Sequence, residues 1–332
     1  MNYPRYLSSP RIAVPVLLLV LLGVAPAAAD VLKDPFLVVF LSRALILAIA
    51  AVSLDFVMGF AGIVSLGHAL FIGLGAYVVG IMSVYGITNG WLHLGLTVLL
   101  CGSIGLATGM IVVRQTGLSL IMITLTFAQM FYYLATGLKR FGGDDGLSIQ
   151  TGSNFYFFTL DHSRVLYYVA FFALVSLLVL GLRASRARFG MVLQGCRMNE
   201  RRMCALGYST TQYKVVAYVL SSVVCGIAGM LYANLTHFVS PSYATWTMSG
   251  DLLVMVVLGG VGSLIGPVLG TFSILIIEEI LKGYTDHWMI IYGPLVVLFV
   301  LLTRKGIYGM LSDINLHGGR TEAHMPTSES KV

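Results

Sequence analysis

The sequence predicts an all-α, polytopic membrane protein that crosses a bilayer with about eight full helices, plus a broken, re-entrant helical hairpin near residues 250–282. Composition is the first ground. Of 332 residues, 58% are hydrophobic and 10% charged, whereas soluble domains carry roughly 25% charged residues. The second is length: apolar stretches of roughly 20 residues, enough to cross a ~30 Å hydrocarbon core, recur from Arg11 to Leu302. The third is the placement of charge, because the basic residues behind the net charge of +6 gather in connections between apolar stretches, the pattern that orients helices in membranes. A water-soluble fold is excluded. Barrel strands would show short alternating patterns instead, and the 37 glycines suit membrane helices that pack backbone to backbone.

Residues 1–30 form an N-terminal span or signal-like segment. Arg5 and Arg11 precede the apolar run Val14 to Val24 and then Ala25-Pro26-Ala27-Ala28-Ala29, the layout of a cleavable signal peptide. The reading taken is an uncleaved first helix that leaves Asp30 outside. Residues 31–311 form the transmembrane domain, with spans at 35–57, 66–86, 91–113, 117–137 and 165–183. The connection 183–214 holds Arg183, Arg186, Arg188, Arg197, Arg201, Arg202 and Lys214 against Glu200, so it is assigned to the cytoplasm. Span 214–235 leads out and 286–303 returns, because Arg304 and Lys305 mark a second cytoplasmic end. Parity then makes 250–282 enter and leave by the outer face. Gly259-Gly260-Val261-Gly262-Ser263 and Gly266-Pro267 divide it into half-helices with a glycine turn at depth, an arrangement tolerated where protein or a water-filled cavity satisfies the backbone. The polar segment 312–332 is expected to be a disordered cytoplasmic tail.

Several constellations can carry function. Gly59-Phe60-Ala61-Gly62-Ile63-Val64-Ser65-Leu66-Gly67-His68-Ala69 sets small and polar residues between two apolar spans. Ser65 and His68 either satisfy neighbouring helices or line a solute path. The translocation-path candidates are Gly62, Ser65, Gly67 and His68, with Gly259, Gly260, Gly262, Ser263 and Gly266 of the later break. Gly62-x-x-Ser65-Leu66 recurs as Gly260-x-x-Ser263-Leu264, a candidate trace of internal duplication. Phe141-Gly142-Gly143-Asp144-Asp145-Gly146 reads as an outer turn, since the alternating oxygen ligands of a calcium loop are missing. Of the charges within spans (Arg43, Asp55, Arg114, Asp251, Glu278, Glu279), Arg43 and Asp251 alone look deep. Cys101, Cys196, Cys204 and Cys225 show no metal-ligand or disulfide spacing, so no metal and no cofactor is expected, and no catalytic constellation is assigned. There is no ladder of buried acids for an ion-coupled carrier and no G-x-x-x-x-G-K-[ST] phosphate loop, so any ATP must be hydrolysed by another polypeptide. Phe189 to Tyr213 is the natural docking surface, helical around Asn199 to Leu206 and stopped by Gly207. A nucleic-acid partner is not indicated.

The run Gly59 to Tyr77, the connection Asn199-Glu200 to Ala205-Leu206-Gly207-Tyr208, and Val257-Leu258-Gly259-Gly260 to Gly266-Pro267 together resemble the branched-chain amino acid ABC transporter permease family, over roughly Val31 to Leu302. The likeness is to the larger subunit type with an extra N-terminal span. It implies a bacterial inner-membrane permease, with both termini cytoplasmic, that is not itself an enzyme. It also implies a second permease subunit, two cytoplasmic ATP-binding subunits, a periplasmic solute-binding protein and surrounding lipid. By position, Glu200, Ala205 and Gly207 fall in the ATPase-coupling loop, and Gly62, Ser65, Leu66, Gly67 and His68 in the family's glycine-rich run. Cys196, Met203, Cys204 and Val64 depart from the usual residues. The implied function is inward movement of branched-chain or other apolar amino acids by alternating access. The alternatives are a relative for urea or short amides and, in another class, an ATP-independent channel or carrier.

Overall fold

The computed structural model describes residues 21–26, 35–285, 287–302 and 306–309. Most of the signal-like segment 1–30 and the whole tail 312–332 therefore lie outside the described residues. The chain folds as α-helices: α1 (Pro35–Asp55), continued by a π-helical turn Phe56–Ala61, then α2 (Ala69–Val84), α3 (Gly90–Val112), α4 (Leu118–Gly137) and α5 (Ser163–Arg186). Two short helices follow, α6 (Arg188–Met198) and α7 (Glu200–Ala205), before α8 (Thr210–Thr236), α9 (Trp246–Gly259), α10 (Gly266–Tyr284) and α11 (Trp288–Leu302). A two-residue strand β1 (Leu147–Ser148) pairs antiparallel with β2 (Phe238–Val239).

Five helical stretches are long and apolar enough to cross a membrane: Phe36–Ala61, Gly90–Val112, Leu118–Gly137, Ser163–Arg186 and Thr210–Thr236. The expectation of about eight full spans is thus met only in part. α2 and α9, with 16 and 14 residues, reach about 24 and 21 Å at 1.5 Å per residue. Each is preceded by chain that is not α-helical: the irregular 62–68, and 237–245 with β2 and a 3-10 turn at Pro241–Ala244.

The two faces of the bundle are fixed by contacts. Arg197 of α6 hydrogen-bonds the carbonyl of Gly59 at the end of α1, and Glu200 of α7 pairs with Lys214 at the start of α8. The β1–β2 pair joins the chain after α4 to the chain after α8 on the opposite face. α1 therefore runs toward the basic face, followed by α2 away, α3 toward and α4 away. α8 runs away from it, followed by α9 toward, α10 away and α11 toward. The second set repeats the first upside down, with the helical break after the leading helix in both, as in inverted-repeat transporters. α5 stands outside the repeat.

This arrangement corrects two expectations. The Gly259–Gly266 turn does not sit at depth: it lies at the basic face, where Gly59 closes on Gly262 and Gly306 on Gly260. Gly62–Leu66 and Gly260–Leu264 are not equivalent in the repeat, since one follows the leading helix and the other the second helix. Both touch the Arg197 side chain instead, Gly62 at its carbons and Gly262 at Nη1.

α1 and α8 form the centre, α8 packing on α2 and α3, and α1 on α5, α9 and α10. Close approach requires glycine at particular points. A Cβ on Gly75 of α2 would strike the carbonyl oxygen of Gly226 in α8, and one on Gly229 would strike that of Ile72. Helix 21–26 joins the core through Leu22, whose carbonyl accepts the Tyr167 hydroxyl of α5 at 2.5 Å. Gly75→Leu should lower the melting temperature of the detergent-solubilised protein strongly, overpacking costing about 1–3 kcal/mol or more. Gly95→Leu, at a position with open space, should leave it unchanged. Equal melting of the two variants would refute the α2–α8 packing.

Candidate functional site

The chain's polar chemistry converges where the connection α6–α7 meets the bundle. Asp55 ends α1 fully buried. Its Oδ1 accepts the Gly262 N–H at 2.6 Å and its Oδ2 accepts the Leu264 N–H at 3.0 Å. One carboxylate thus clamps the α9–α10 turn to the end of α1. The turn requires it, because Leu264 is held at φ 58°, a left-handed conformation that bulky residues avoid. The Leu264 side chain is buried and packs toward Gly181 of α5. Past Asp55 the helix widens into its π turn and ends at Gly62, φ 73°. Arg197 lies over this end: its Nη1 donates to Gly59 O, and its side-chain carbons pack on Gly62. Gly262 leaves space beside the guanidinium and Gly62 beside its aliphatic stem, while Gly59 lets the end of α1 close on Gly262.

α7 is a closed unit. Asn199 caps its start, its Oδ1 accepting the Arg202 N–H at 3.0 Å. At its end the Tyr208 N–H reaches Met203 O at 3.2 Å and the Gly207 N–H reaches Cys204 O at 3.0 Å, with Gly207 at φ 88°. That pair of bonds is a Schellman close, which needs glycine at the left-handed position. The expected helix from Asn199 to Leu206, stopped by Gly207, is therefore formed. Glu200 is turned inward, its Oε2 2.8 Å from Lys214 Nζ. Arg201, Arg202, Ala205 and Gly207 are exposed, as are Met198 at 87% and Leu206 at 66%. Cys196 lies beneath, its thiol pushed above the usual range, first by burial.

The non-helical chain 62–68 crosses the interior. Its peptide groups are met by hydroxyls: the Leu66 N–H by Thr124 Oγ1 (3.2 Å), the Gly67 N–H by Ser65 Oγ (3.1 Å) and the Ala69 N–H by Ser249 Oγ of α9 (3.0 Å). Ser221 of α8 gives its proton to Ser53 O at 2.5 Å, so it accepts from His68 Nε2 at 2.8 Å. His68 Nδ1 has no hydrogen-bond partner among the described residues. The residue is buried, with its ring edge-on to Phe71 and Tyr218.

The path candidates thus separate into two groups. Ser65, Gly67 and His68 stitch the interior break, whereas Gly62, Gly259, Gly260, Gly262, Ser263 and Gly266 build the turn at the basic face. Ser263 Oγ caps that turn, accepting the Gly266 N–H at 2.9 Å. Sequence reasoning missed Asp55, set aside as a charge near a helix end, and Arg197, read as one of many basic residues. The signal lay in the glycines at 59, 62 and 262, which mark close approach by other groups. The acidic outer loop is a turn as expected, with Gly142, Gly143 and Gly146 at positive φ leading into β1.

Comparison with known proteins bears on this geometry. The family described as branched-chain amino acid transport system / permease component matches residues 36–302. The chain is 29% identical over 290 residues to the high-affinity branched-chain amino acid transport system permease protein LivM of Salmonella typhimurium, covering 80% of this chain and 68% of that protein. LivM of Escherichia coli K12 is similar at the same identity and coverage. The LivH permease protein of the same strain is 22% identical over 283 residues, 79% of this chain and 91% of LivH. No solved structure matches the chain at a significant level.

The clamp predicts an order of stability. Each charge-assisted bond to a buried carboxylate contributes about 1.5–3 kcal/mol, so Asp55→Ala should melt lowest. Asp55→Asn, which keeps one acceptor, should fall between it and the wild type in thermal unfolding of the purified protein. An alanine variant as stable as the wild type would remove the clamp.

Proposed function

The chain belongs to the branched-chain amino acid transport system permease family, and from that premise we propose that it is a membrane-spanning subunit of an ATP-binding-cassette importer that moves branched-chain and other small apolar amino acids into the cell. The observation that carries this reading is α7: an exposed, doubly capped helix tied rigidly into two different parts of the bundle. A connection that served only to orient the chain would need charge, not two caps, a buried-end ion pair and an arginine seated on another helix's terminus.

The basic face is cytoplasmic by its charge, and the membrane is the bacterial inner membrane, with both chain termini on the cytoplasmic side. Two ATP-binding subunits meet α6–α7 there, with Met198 and Leu206 as apolar anchors and Arg201 and Arg202 beside them. A periplasmic solute-binding protein meets the opposite face, near β1–β2. A second permease subunit completes the pore, a pairing supported by likeness to two differently named permease proteins of one transport system.

Motion enters by two routes. Displacement of α7 acts through Glu200–Lys214 on α8, the leading helix of the second repeat. Displacement of α6 acts through Arg197 on the end of α1, the leading helix of the first, and on the turn that Asp55 holds against it. The two leading helices are thus pushed by one connection, and rocking one repeat against the other alternates access. No bond is made or broken in this chain.

Co-purification from membranes with the candidate ATPases tests the docking surface. Gly207→Arg, which forbids the left-handed close, and Leu206→Asp should each lower recovered ATPase by about tenfold, roughly 1.4 kcal/mol, at unchanged expression. Arg197→Ala should retain the ATPases and their ATP hydrolysis yet cut ATP-driven leucine uptake into proteoliposomes severalfold. Amino-acid flux through the purified chain alone, without ATP, would overturn the importer reading in favour of a channel or carrier.

A further inference from the structure

α1, α9, α10 and α11 enclose a cavity of about 110 Å³, well above the ~10–15 Å³ that one water requires. Three charged side chains line it, each from a different helix: Arg43, Asp251 and Glu278. None sits at a helix end. Arg43 lies about 12 Å along α1, and Glu278 about 9 Å before the end of α10, at 1.5 Å per residue. Asp251 falls in the second turn of α9, a helix that begins after β2 and a short 3-10 turn. Charges at such positions are costly in lipid and face a cavity, a partner or a solute path.

Their pairing is incomplete in a specific way. Glu278 Oε1 is shared, 2.6 Å from Lys282 Nζ and 3.6 Å from Arg43 Nη2. Arg43 Nε is buried and makes no hydrogen bond among the described residues. Asp251 is exposed at the cavity, and its side chain makes no hydrogen bond or ion pair among the described residues. One arginine donor and one carboxylate, on different helices, are therefore without a hydrogen bond among the described residues, though within electrostatic reach of each other. The wall between them is apolar, with Leu47, Met255 and Ile274 on it, and Tyr292 closes one side.

A ligand that satisfies all three features carries a carboxylate, an ammonium and a short hydrocarbon body. We propose that this cavity binds an α-amino acid with an aliphatic side chain: Arg43 takes the carboxylate, as its planar donor set favours, Asp251 the ammonium, and the Leu47–Met255 wall the side chain. The proposal rests on the transport reading above and deepens it by naming the solute's contacts. A bare cation would use Asp251 and Glu278 but leave the Arg43 donor and the apolar wall without purpose. Because Arg43 comes from the first repeat while Asp251 and Glu278 come from the second, rocking the repeats opens or closes the site.

The test uses the full transporter, with its partner permease and ATPases, in nanodiscs without the binding protein. Radiolabelled leucine is displaced by leucine, by leucinamide (no carboxylate) or by 4-methylpentanoate (no ammonium). Both analogues should compete about tenfold or more weakly than leucine, roughly 1.4 kcal/mol. In Arg43→Gln, leucine should lose its advantage over leucinamide but keep it over 4-methylpentanoate. In Asp251→Asn the pattern should reverse, and Asp251→Glu should recover part of the discrimination. Only variants with the wild-type elution profile and melting temperature are compared, and Asp251→Glu serves if Asp251→Asn does not fold. Leucine binding unchanged in both charge-removing variants, or displacement by sodium ions alone, overturns the proposal. Binding-protein-dependent uptake measured on the same preparations separates the two readings. Wild-type-level uptake by both variants refutes this site and leaves the importer standing, whereas a wild type that carries no amino acid under ATP refutes both.

Discussion

Inside a bilayer a peptide group that leaves the helix finds no water, so its partner must come from the protein. This chain leaves the helix repeatedly within its bundle, and beside local serine caps it takes side-chain partners from other elements. Thr124 of α4 and Ser249 of α9 hold the ends of the 62–68 segment, while Asp55 of α1 holds the turn between α9 and α10. Each half of the repeat satisfies part of its own break and takes the rest from the other. The first repeat's break is closed by the second repeat's α9, and the second repeat's turn by the first repeat's α1. Mutual hydrogen bonding of this kind fixes how the halves sit without large apolar driving force, which membrane helices lack among themselves.

The same constraint explains where the glycines are needed. A backbone pinned by a side chain from another helix has to approach that helix closely, and a Cβ is in the way. Gly59 and Gly262 are mutually close because the clamp draws α1 onto the turn, and Gly62 is close to Arg197 because the arginine has to reach past it to Gly59. Glycine therefore serves contact here more than flexibility.

The helical class, the borders of most spans and the capped helix before Gly207 were legible in the sequence, because length, charge placement and the need for a left-handed residue at a helix end are local properties. The depth of the Gly259–Gly266 turn was not, because parity counts crossings and says nothing about where a helix begins; α9 is short at its other end, after the dip at 237–245. The repeat was legible only falsely. Three matching residues in a five-residue window, at Gly62–Leu66 and Gly260–Leu264, look like duplication, yet the two turns fall at different places in the repeat. Asp55 was invisible for a related reason: a charge near a span's end is ordinary, and only the positions of Gly262 and Leu264, more than 200 residues away, make it a clamp.

Inversion of the repeat also sorts the charges. With the leading helices antiparallel at the centre, α1 brings Asp55 to the basic face and leaves Arg43 in the other half of the bundle, beside α9 and α10. The basic-face acid is consumed by backbone and the arginine near it by a carbonyl, so that junction is saturated and mechanical. The opposite cluster keeps one Arg43 donor and the Asp251 carboxylate without a hydrogen bond among the described residues, with Asp251 exposed at the cavity. If that cavity takes the solute as proposed, the site lies between the two repeats, since Arg43 belongs to the first and Asp251 and Glu278 to the second, apart from the Asp55–Arg197 junction at the basic face.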